Sequence, residues 1–259
     1  MLLEEFDPNP KAIINPDDSD VVLLDYRLPL PTTILCPFSG EIITHLLQRK
    51  QIRPIGYTKS INGKSPIYLL SRPTGPDVLV TLAKVGSPAC IGTLEDLAPL
   101  GITNFIIFGS CGVLKAEQAS DQINLPTAAL RDEGMSYHYA PPTDVIKADP
   151  HAIHLMEKVL QRHEIRYEKG LTWTTDAFFR ETPKKLAHRK EQGAVFVDME
   201  AAATFAWSQF RGHRLLHFFY SADHIHMKGW DRRKNQRRRH VGDYFDVALL
   251  FADELSKTK

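Results

Sequence analysis

Cysteine is scarce in this chain, and its placement excludes a disulfide frame. Three residues, Cys36, Cys90 and Cys111, are spread along 259 residues. An odd number with no CxxC pair and no metal-like His pattern reads as free thiols in a reducing compartment. Long apolar runs are missing too: nowhere do about 18 apolar residues follow one another, so no membrane span is expected. The N-terminus, MLLEEFDPNP, is acidic where a secretory leader is basic, which points to the cytoplasm. A charge of one sign is also lacking. Lys and Arg total 32 against 31 Asp and Glu, so the formal net charge is +1. That balance calls for neither nucleic acid nor an acidic membrane surface.

What is present is a core. Hydrophobic residues make up 43% of the chain, enough for an ordered globular protein. Residues 1–30 are rich in Pro and Asp with weak periodicity. They read as an N-terminal extension that wraps the surface or a neighbouring subunit. After them, short apolar runs alternate with helical patterns, the sign of a mostly parallel sheet covered on both faces.

Thr33-Ile34-Leu35-Cys36 reads as a buried strand, and Ser39 as the cap of a helix with Ile42, Ile43, Leu46 and Leu47 on one face. Val78 to Leu82 is a short strand running into Gly86-Ser87-Pro88, and a helix follows until Gly101 stops it. Phe105 to Phe108 is a third strand. Asp149-Pro150 starts a helix burying Ile153, Met156, Val159 and Leu160. Phe196-Val197 and Leu215 to Tyr220 are further strands, and a last helix runs from about Val241. No repeat, low-complexity tract or linker divides the chain. A single domain over residues 1–259 is expected.

Four places depart from scaffold logic. Gly109-Ser110-Cys111-Gly112 follows an apolar strand, where small residues let a ligand approach the backbone and N–H groups with a hydroxyl can hold an anion. The plain alternative is a tight turn. In Val197-Asp198-Met199-Glu200-Ala201-Ala202, Asp198 reads as the cap of a buried helix with Glu200 in its first turn. A carboxylate there needs a partner: either the vicinal hydroxyls of a sugar or a structural Arg. In Tyr220-Ser221-Ala222-Asp223, a strand ends in an acid, as active sites of open α/β sheets do; a partly buried Asp there can act as general acid. The alternative is a helix cap or a solvated loop. The basic run Arg232 to His240 suggests a polyanion, but without interleaved aromatics it reads better as a solvated loop entering the last helix.

Together these segments resemble the nucleoside phosphorylase family of purine nucleoside and uridine phosphorylases, over roughly residues 30–256. The other shared markers are Gly86-Ser87-Pro88, Arg131-Asp132-Glu133-Gly134 and Thr175-Asp176-Ala177-Phe178-Phe179. The resemblance implies a three-layer α/β/α fold with a central mixed, mostly parallel sheet. It implies that Glu200 binds the ribose 2′ and 3′ hydroxyls with Met199 against the sugar. It places phosphate at Gly109 and Ser110, and the base beside Cys111, Gly112 and Phe178. It makes Asp223 the acid that protonates purine N7, assisted by Arg237. Inorganic phosphate is then a co-substrate with the nucleoside, no metal or organic cofactor is indicated, and the chain is a homo-oligomer, a dimer or hexamer.

This chain also departs from the family. Where the family carries Gly-Asp-Pro-x-Arg after the first strand, it reads Leu35-Cys36-Pro37-Phe38-Ser39, and where an Arg precedes the Gly-Ser turn it has Ile107. The N-terminal His that reaches a neighbour's ribose is absent from residues 1–30. Arg72, Lys84 or a residue of the run 232–239 then has to replace the lost cations. Otherwise water is the nucleophile, as in the hydrolytic nucleosidase relatives, whose early Glu falls near Glu41. Asp223 favours a purine, since Arg180-Glu181-Thr182-Pro183-Lys184 does not match the residues with which uridine phosphorylases read uracil. The readings left are phosphorolysis, hydrolysis and binding of a nucleoside without catalysis.

Overall fold

The structure is a computed structural model and describes residues 5–18, 21–24, 26, 29–61, 63–115, 122–226, 229–231 and 241–257. The strands are β1 (Val21–Leu23), β2 (Thr33–Pro37), β3 (Ile52–Ser60), β4 (Gly63–Leu70), β5 (Val78–Val80), β6 (Asn104–Val113), β7 (Ile123–Asp132), β8 (Val145–Lys147), β9 (Tyr167–Thr175), β10 (Ala194–Asp198), β11 (Arg214–His226) and β12 (Gly229–Asp231). The helices are α1 (Gly40–Gln48), α2 (Ser87–Leu97), α3 (Pro150–Arg162), α4 (Pro183–Glu191), α5 (Ala201–Arg211) and α6 (Val241–Lys257).

The sheet is mixed. β2 pairs in parallel with both β5 and β6, and β6 pairs in parallel with β11. On the far side β10 and β7 each pair in parallel with β9. Antiparallel pairings extend the sheet outwards through β4, β3 and β1. They also link β6 to β10 and β7 to β11. β6, β10, β9, β7 and β11 therefore return to β6, a closed ring of five strands attached to an open wing.

Alternation along a strand sends neighbouring side chains to opposite faces, and the two faces meet different helices. Phe108 of β6 stacks on Phe218 of β11 at 5.0 Å, and α6 closes over them with Phe245 and Phe251. Phe105 of β6 points the other way and meets Trp207 of α5 edge-on at 5.0 Å. All six of these rings are buried. With helices on both faces of the sheet, the three-layer α/β/α architecture holds.

Local chemistry fixes the helix ends. The Asp149 carboxylate accepts from the His151 N–H at 2.9 Å at the start of α3, and Pro150 fills the first turn. Gly101 takes φ +83° after the α2 segment and Gly212 takes φ +73° after α5, as left-handed helix stops require. Ser39 precedes α1 but makes no side-chain cap bond, and Leu47 faces outwards rather than joining Ile42, Ile43 and Leu46 in the core. The N-terminal residues lie on the molecule itself: Phe6 meets Phe210 edge-on, Arg211 donates to the Pro10 carbonyl at 2.8 Å, and residues 21–23 add an edge strand to β3. Among the described residues no helix is long and apolar enough to cross a membrane.

Candidate active site

The carboxyl ends of strands β6, β10 and β11 open into a cavity of about 970 Å³. It is the place where an open α/β sheet collects ligands. Gly109, Ser110, Cys111, Gly112, Phe178, Met199, Glu200 and Asp223 all line it, so the described residues to which the resemblance gives a sugar, phosphate, base or acid role meet here. Arg237 lies outside the described residues.

The Gly109–Gly112 segment is not a turn. β6 continues through it to Val113, because β10 and β11 hydrogen-bond to its two edges. Its glycines are set by packing. A Cβ on Gly109 would fall 2.8 Å from the Phe38 ring, and one on Gly112 would fall 2.7 Å from Val197 and 2.8 Å from Ile225. Phe38 therefore presses directly on the strand beside exposed Ser110. Cys111 is buried, its thiol accepts from Asn124 Nδ2 at 3.4 Å, and burial pushes its ionisation up, so it stays neutral. The same Asn124 amide donates to Ser221 at 3.0 Å and ties β7 to β6 and β11 below the cavity.

Glu200, not Asp198, is the N-cap of α5, so the helix starts two residues later than the sequence suggested, and Asp198 supports the helix start from outside it. One Asp198 oxygen accepts from the N–H groups of Glu200 and Ala201, at 2.8 and 2.6 Å. The other accepts from the hydroxyls of Thr172 and Thr174, both at 2.9 Å. This leaves the Glu200 side chain free to turn into the cavity. There it accepts from the Gly86 N–H at 2.6 Å, and the Ser87 hydroxyl donates to the Met199 carbonyl at 2.7 Å. The partner is thus a backbone amide, not the structural Arg considered above. Burial first, and the Asp198 charge second, raise the Glu200 carboxyl to about 8.

β11 does not end at Tyr220 but runs to His226, with a register shift against β6 between Ser221 and Asp223. That irregularity sets Asp223 opposite Gly112, half-buried at the cavity wall. A bulge of this kind redirects one side chain without ending the strand. Phe178 and Phe179 stand on a 3-10 turn at the cavity rim, 51% and 87% exposed, their rings 4.1 Å apart. Glu181 follows them into the cavity. Sequence reasoning missed four contributors: the Phe38 ring, the Gly86 amide, Asn124 and Glu181. Gly86, Phe38 and Glu181 stood in segments compared with the family but were given no role there, and Asn124 carried no signal.

The charge balance of the wall is one-sided. Among the described residues it carries four carboxylates, Glu181, Asp198, Glu200 and Asp223, and no Lys or Arg. Arg72 does not make up the deficit: its guanidinium grips Asp253 at 2.6 and 2.9 Å beside a separate groove between α1 and α6. Glu41 lines that same groove, away from the cavity. Arg131 is held by the carbonyls of Ala140, Pro141 and Thr143 and lies over the Tyr137 ring. Lys84, half-buried and without an ion pair among the described residues, directly precedes Val85 at the cavity wall.

The model of the phosphorylase superfamily matches residues 47–241. A guanosine phosphorylase of Halorubrum lacusprofundi is 24% identical over 140 residues, 54% of this chain and 58% of its own. A DeoD-type purine nucleoside phosphorylase of Vibrio cholerae is 25% identical over 177 residues, 68% of this chain and 75% of its own. A uridine phosphorylase of Thermococcus kodakarensis is 29% identical over 105 residues, 40% of this chain and 38% of its own. The matched region thus spans well under two thirds of the guanosine and uridine enzymes. With the family model covering most of the sheet and its carboxyl-end cavity, the chain belongs to the phosphorylase superfamily.

Proposed function

We propose that this protein is a pentosyltransferase that cleaves the N-glycosidic bond of a purine nucleoside, with phosphate attacking C1′ to give free base and ribose 1-phosphate. The observation that carries the reading is the placement of Glu200 and Asp223 on one cavity wall beside Gly109 and Ser110. Glu200, one oxygen already held by Gly86, offers the other to the ribose hydroxyls, with Met199 against the sugar. Phosphate sits at Ser110 and the β6 backbone. The base lies between Phe178 and the Cys111-Gly112 strand. As C1′ takes on oxocarbenium character, Asp223 gives its proton to N7, so that the purine leaves neutral; general-acid help of this kind contributes about 10²–10⁴-fold. Arg237 assists that acid. The names of the relatives span guanosine, purine and uridine, and the strand-end acid is what favours a purine here. In this reading the protein works in the cytoplasm as a homo-oligomer, a dimer or a hexamer, without a metal or organic cofactor.

One observation favours a second reading, hydrolysis by water. Phosphate is held best by charge-assisted bonds, yet the described wall holds no cation and Phe38 packs on Gly109. Lys84 and the 232–239 run are the sources of positive charge that phosphorolysis requires. Chromatography of the products from inosine, guanosine, adenosine, methylthioadenosine and uridine, each with and without phosphate, separates the readings. Ribose 1-phosphate formed only with phosphate is the expected result. Free ribose at an equal rate without phosphate replaces phosphorolysis with hydrolysis, and no cleavage of any nucleoside overturns both.

A further inference from the structure

Buried polar atoms are normally paired, and His217 of β11 departs from this at one ring nitrogen. Its Nδ1 lies 2.9 Å from the Thr204 hydroxyl. That hydroxyl has one proton, which goes to the Ala201 carbonyl at 3.0 Å, so the ring donates from Nδ1 and keeps a lone pair on Nε2. Nε2 is buried and has no hydrogen-bond partner among the described residues. Burial holds the ring neutral, which leaves the lone pair available. An acceptor shut away from water without a donor is costly, and a ligand with a donor relieves that cost.

Leu215 and His217 leave the same face of β11, and both line a cavity of about 190 Å³ between the start of α3 and the end of α5. Nε2 belongs to the far edge of the ring, opposite Cβ, so it reaches from the strand towards the two helices that enclose this space. Ala152, Ile153 and Met156 of α3 and Phe205 of α5 supply apolar walls. The Ser208 hydroxyl, also on the wall, donates to the Phe205 carbonyl at 3.1 Å. Asp149, Gln209 and Gly212 are exposed and form a polar mouth. No lining residue is shared with the cavity at the carboxyl ends of the strands. The two spaces lie at opposite ends of α5, with Glu200 at one and Ser208 near the other.

We propose that this cavity is a second binding site, for a neutral, single-ring aromatic molecule that donates one hydrogen bond from an O–H or ring N–H to His217 Nε2. The size admits one ring, since an apolar cavity of about 150 Å³ is enough for benzene. The walls suit an apolar body, and the one unpaired acceptor orients it by a single donor. A charged ligand would lose its hydration and find no ion partner within the walls. Water is a poorer occupant: each buried molecule needs several polar partners, and the walls are mostly apolar. The site is independent of the reaction proposed above.

The probes are phenol, which donates from O–H, pyrrole, which donates from N–H, and toluene, a ring without a donor. In wild type we expect phenol or pyrrole to shift the His217 Nε2 resonance saturably in ¹⁵N NMR, towards the position of an accepted hydrogen bond. Toluene should bind more weakly and leave that resonance in place. The tighter of the two donors tells whether the site suits a hydroxyl or a ring N–H. His217→Phe keeps a ring and removes the acceptor, so phenol should bind about three- to tenfold more weakly, the worth of one neutral hydrogen bond, with toluene unchanged. Ala152→Phe fills the space from α3 with His217 intact and should abolish binding of all three; it also serves if H217F does not fold. An Nε2 resonance that phenol and pyrrole leave unmoved overturns the proposal. So does equal binding of phenol and toluene, a shift that survives in A152F, or a phenol-soaked crystal with only water beside His217.

Discussion

The Glu200 carboxylate accepts a hydrogen bond from the Gly86 N–H at 2.6 Å, and each of these residues is the N-cap of its helix, α5 and α2. Two helix starts thus converge on one carboxylate, where their dipoles favour negative charge. Gly86 reaches this position at φ +95°, a backbone state that disfavours a side chain. Such a clamp orients Glu200 before any ligand arrives. Replacing it with Gln turns one oxygen into an N–H donor, either against the Gly86 amide or against the sugar. We expect E200Q to lose about 10²–10⁴-fold in kcat/KM, the equivalent of one or two charge-assisted hydrogen bonds. Steady-state kinetics with the best nucleoside check this, and a loss under about threefold contradicts the sugar-binding role.

Glu200 and His217 give stability two opposing pH dependences. Glu200 rises from 4.5 to about 8 on folding, so its contribution is present below pH 4.5 and is lost as pH climbs towards 8. His217, buried with Nδ1 2.9 Å from the Thr204 hydroxyl, is pushed down from 6.5 to about 3 by burial. Its contribution is present above pH 6.5 and is lost as pH falls towards 3. The two offset between 4.5 and 6.5. Of the two, only Glu200 still contributes a slope between pH 6.5 and 8, about 1.4 kcal/mol per pH unit at most. Urea denaturation across that range should show wild type losing stability relative to E200Q. In E200Q the His217 slope should emerge between pH 4.5 and 6.5. Parallel curves for the two proteins would contradict the Glu200 assignment.

Phe38 and Gly109 form a contact that leaves no room for a methyl group, since a Cβ at Gly109 would sit 2.8 Å from the ring. Gly109→Ala should therefore destabilise by about 1–3 kcal/mol, the range of overpacking. The clash involves the ring and its Cβ, so Phe38→Ala in the same chain should recover much of that loss. A double-mutant cycle read by urea denaturation should give a coupling of about 1 kcal/mol or more. Additive effects would mean that the strand shifts instead of the ring.

How much of this was legible in the sequence depends on how local each signal is. The α3 cap at Asp149, the stop at Gly101 and the apolar strands all state themselves in adjacent residues. β6 was read as ending at Phe108, because its continuation to Val113 is imposed by β10 and β11 closing the ring on its edges. The β3–β4 hairpin escaped notice: Pro54 lies inside β3, with a register shift between Pro54 and Gly56, and Lys59 and Lys64 dilute the alternation. At the site, Glu200 and Asp223 stood out as acids among apolar residues. Glu181 did not, since an acid in a stretch of Arg, Pro and Lys looks like solvated loop. Only the Thr182 cap and the turn before it send that side chain inwards. Phe38 is likewise an ordinary aromatic until the strand pairing sets it on Gly109.

Asp198 lines the cavity, yet each of its oxygens is already committed to two donors of the scaffold. Its role is to hold the start of α5 against β9, and through it the direction of Glu200. Asp198→Asn keeps the shape but aims an NH₂ group at two donors, whichever way the amide is turned. The resulting unmade bonds cost about 1–3 kcal/mol each. In a chain of this size, a loss of about 3 kcal/mol lowers Tm by about 6–12 °C. D198N should melt within that range below wild type, and its kcat/KM should fall because Glu200 loses its fixed N–H support. Thr174→Val removes one of the four donors, although Thr174 also accepts from the Ala202 N–H at 3.1 Å. It should therefore give a smaller drop in Tm with the same direction in kcat/KM. If D198N melts within about 2 °C of wild type, less than the shift expected for 1 kcal/mol, the helix start is held by something other than this carboxylate.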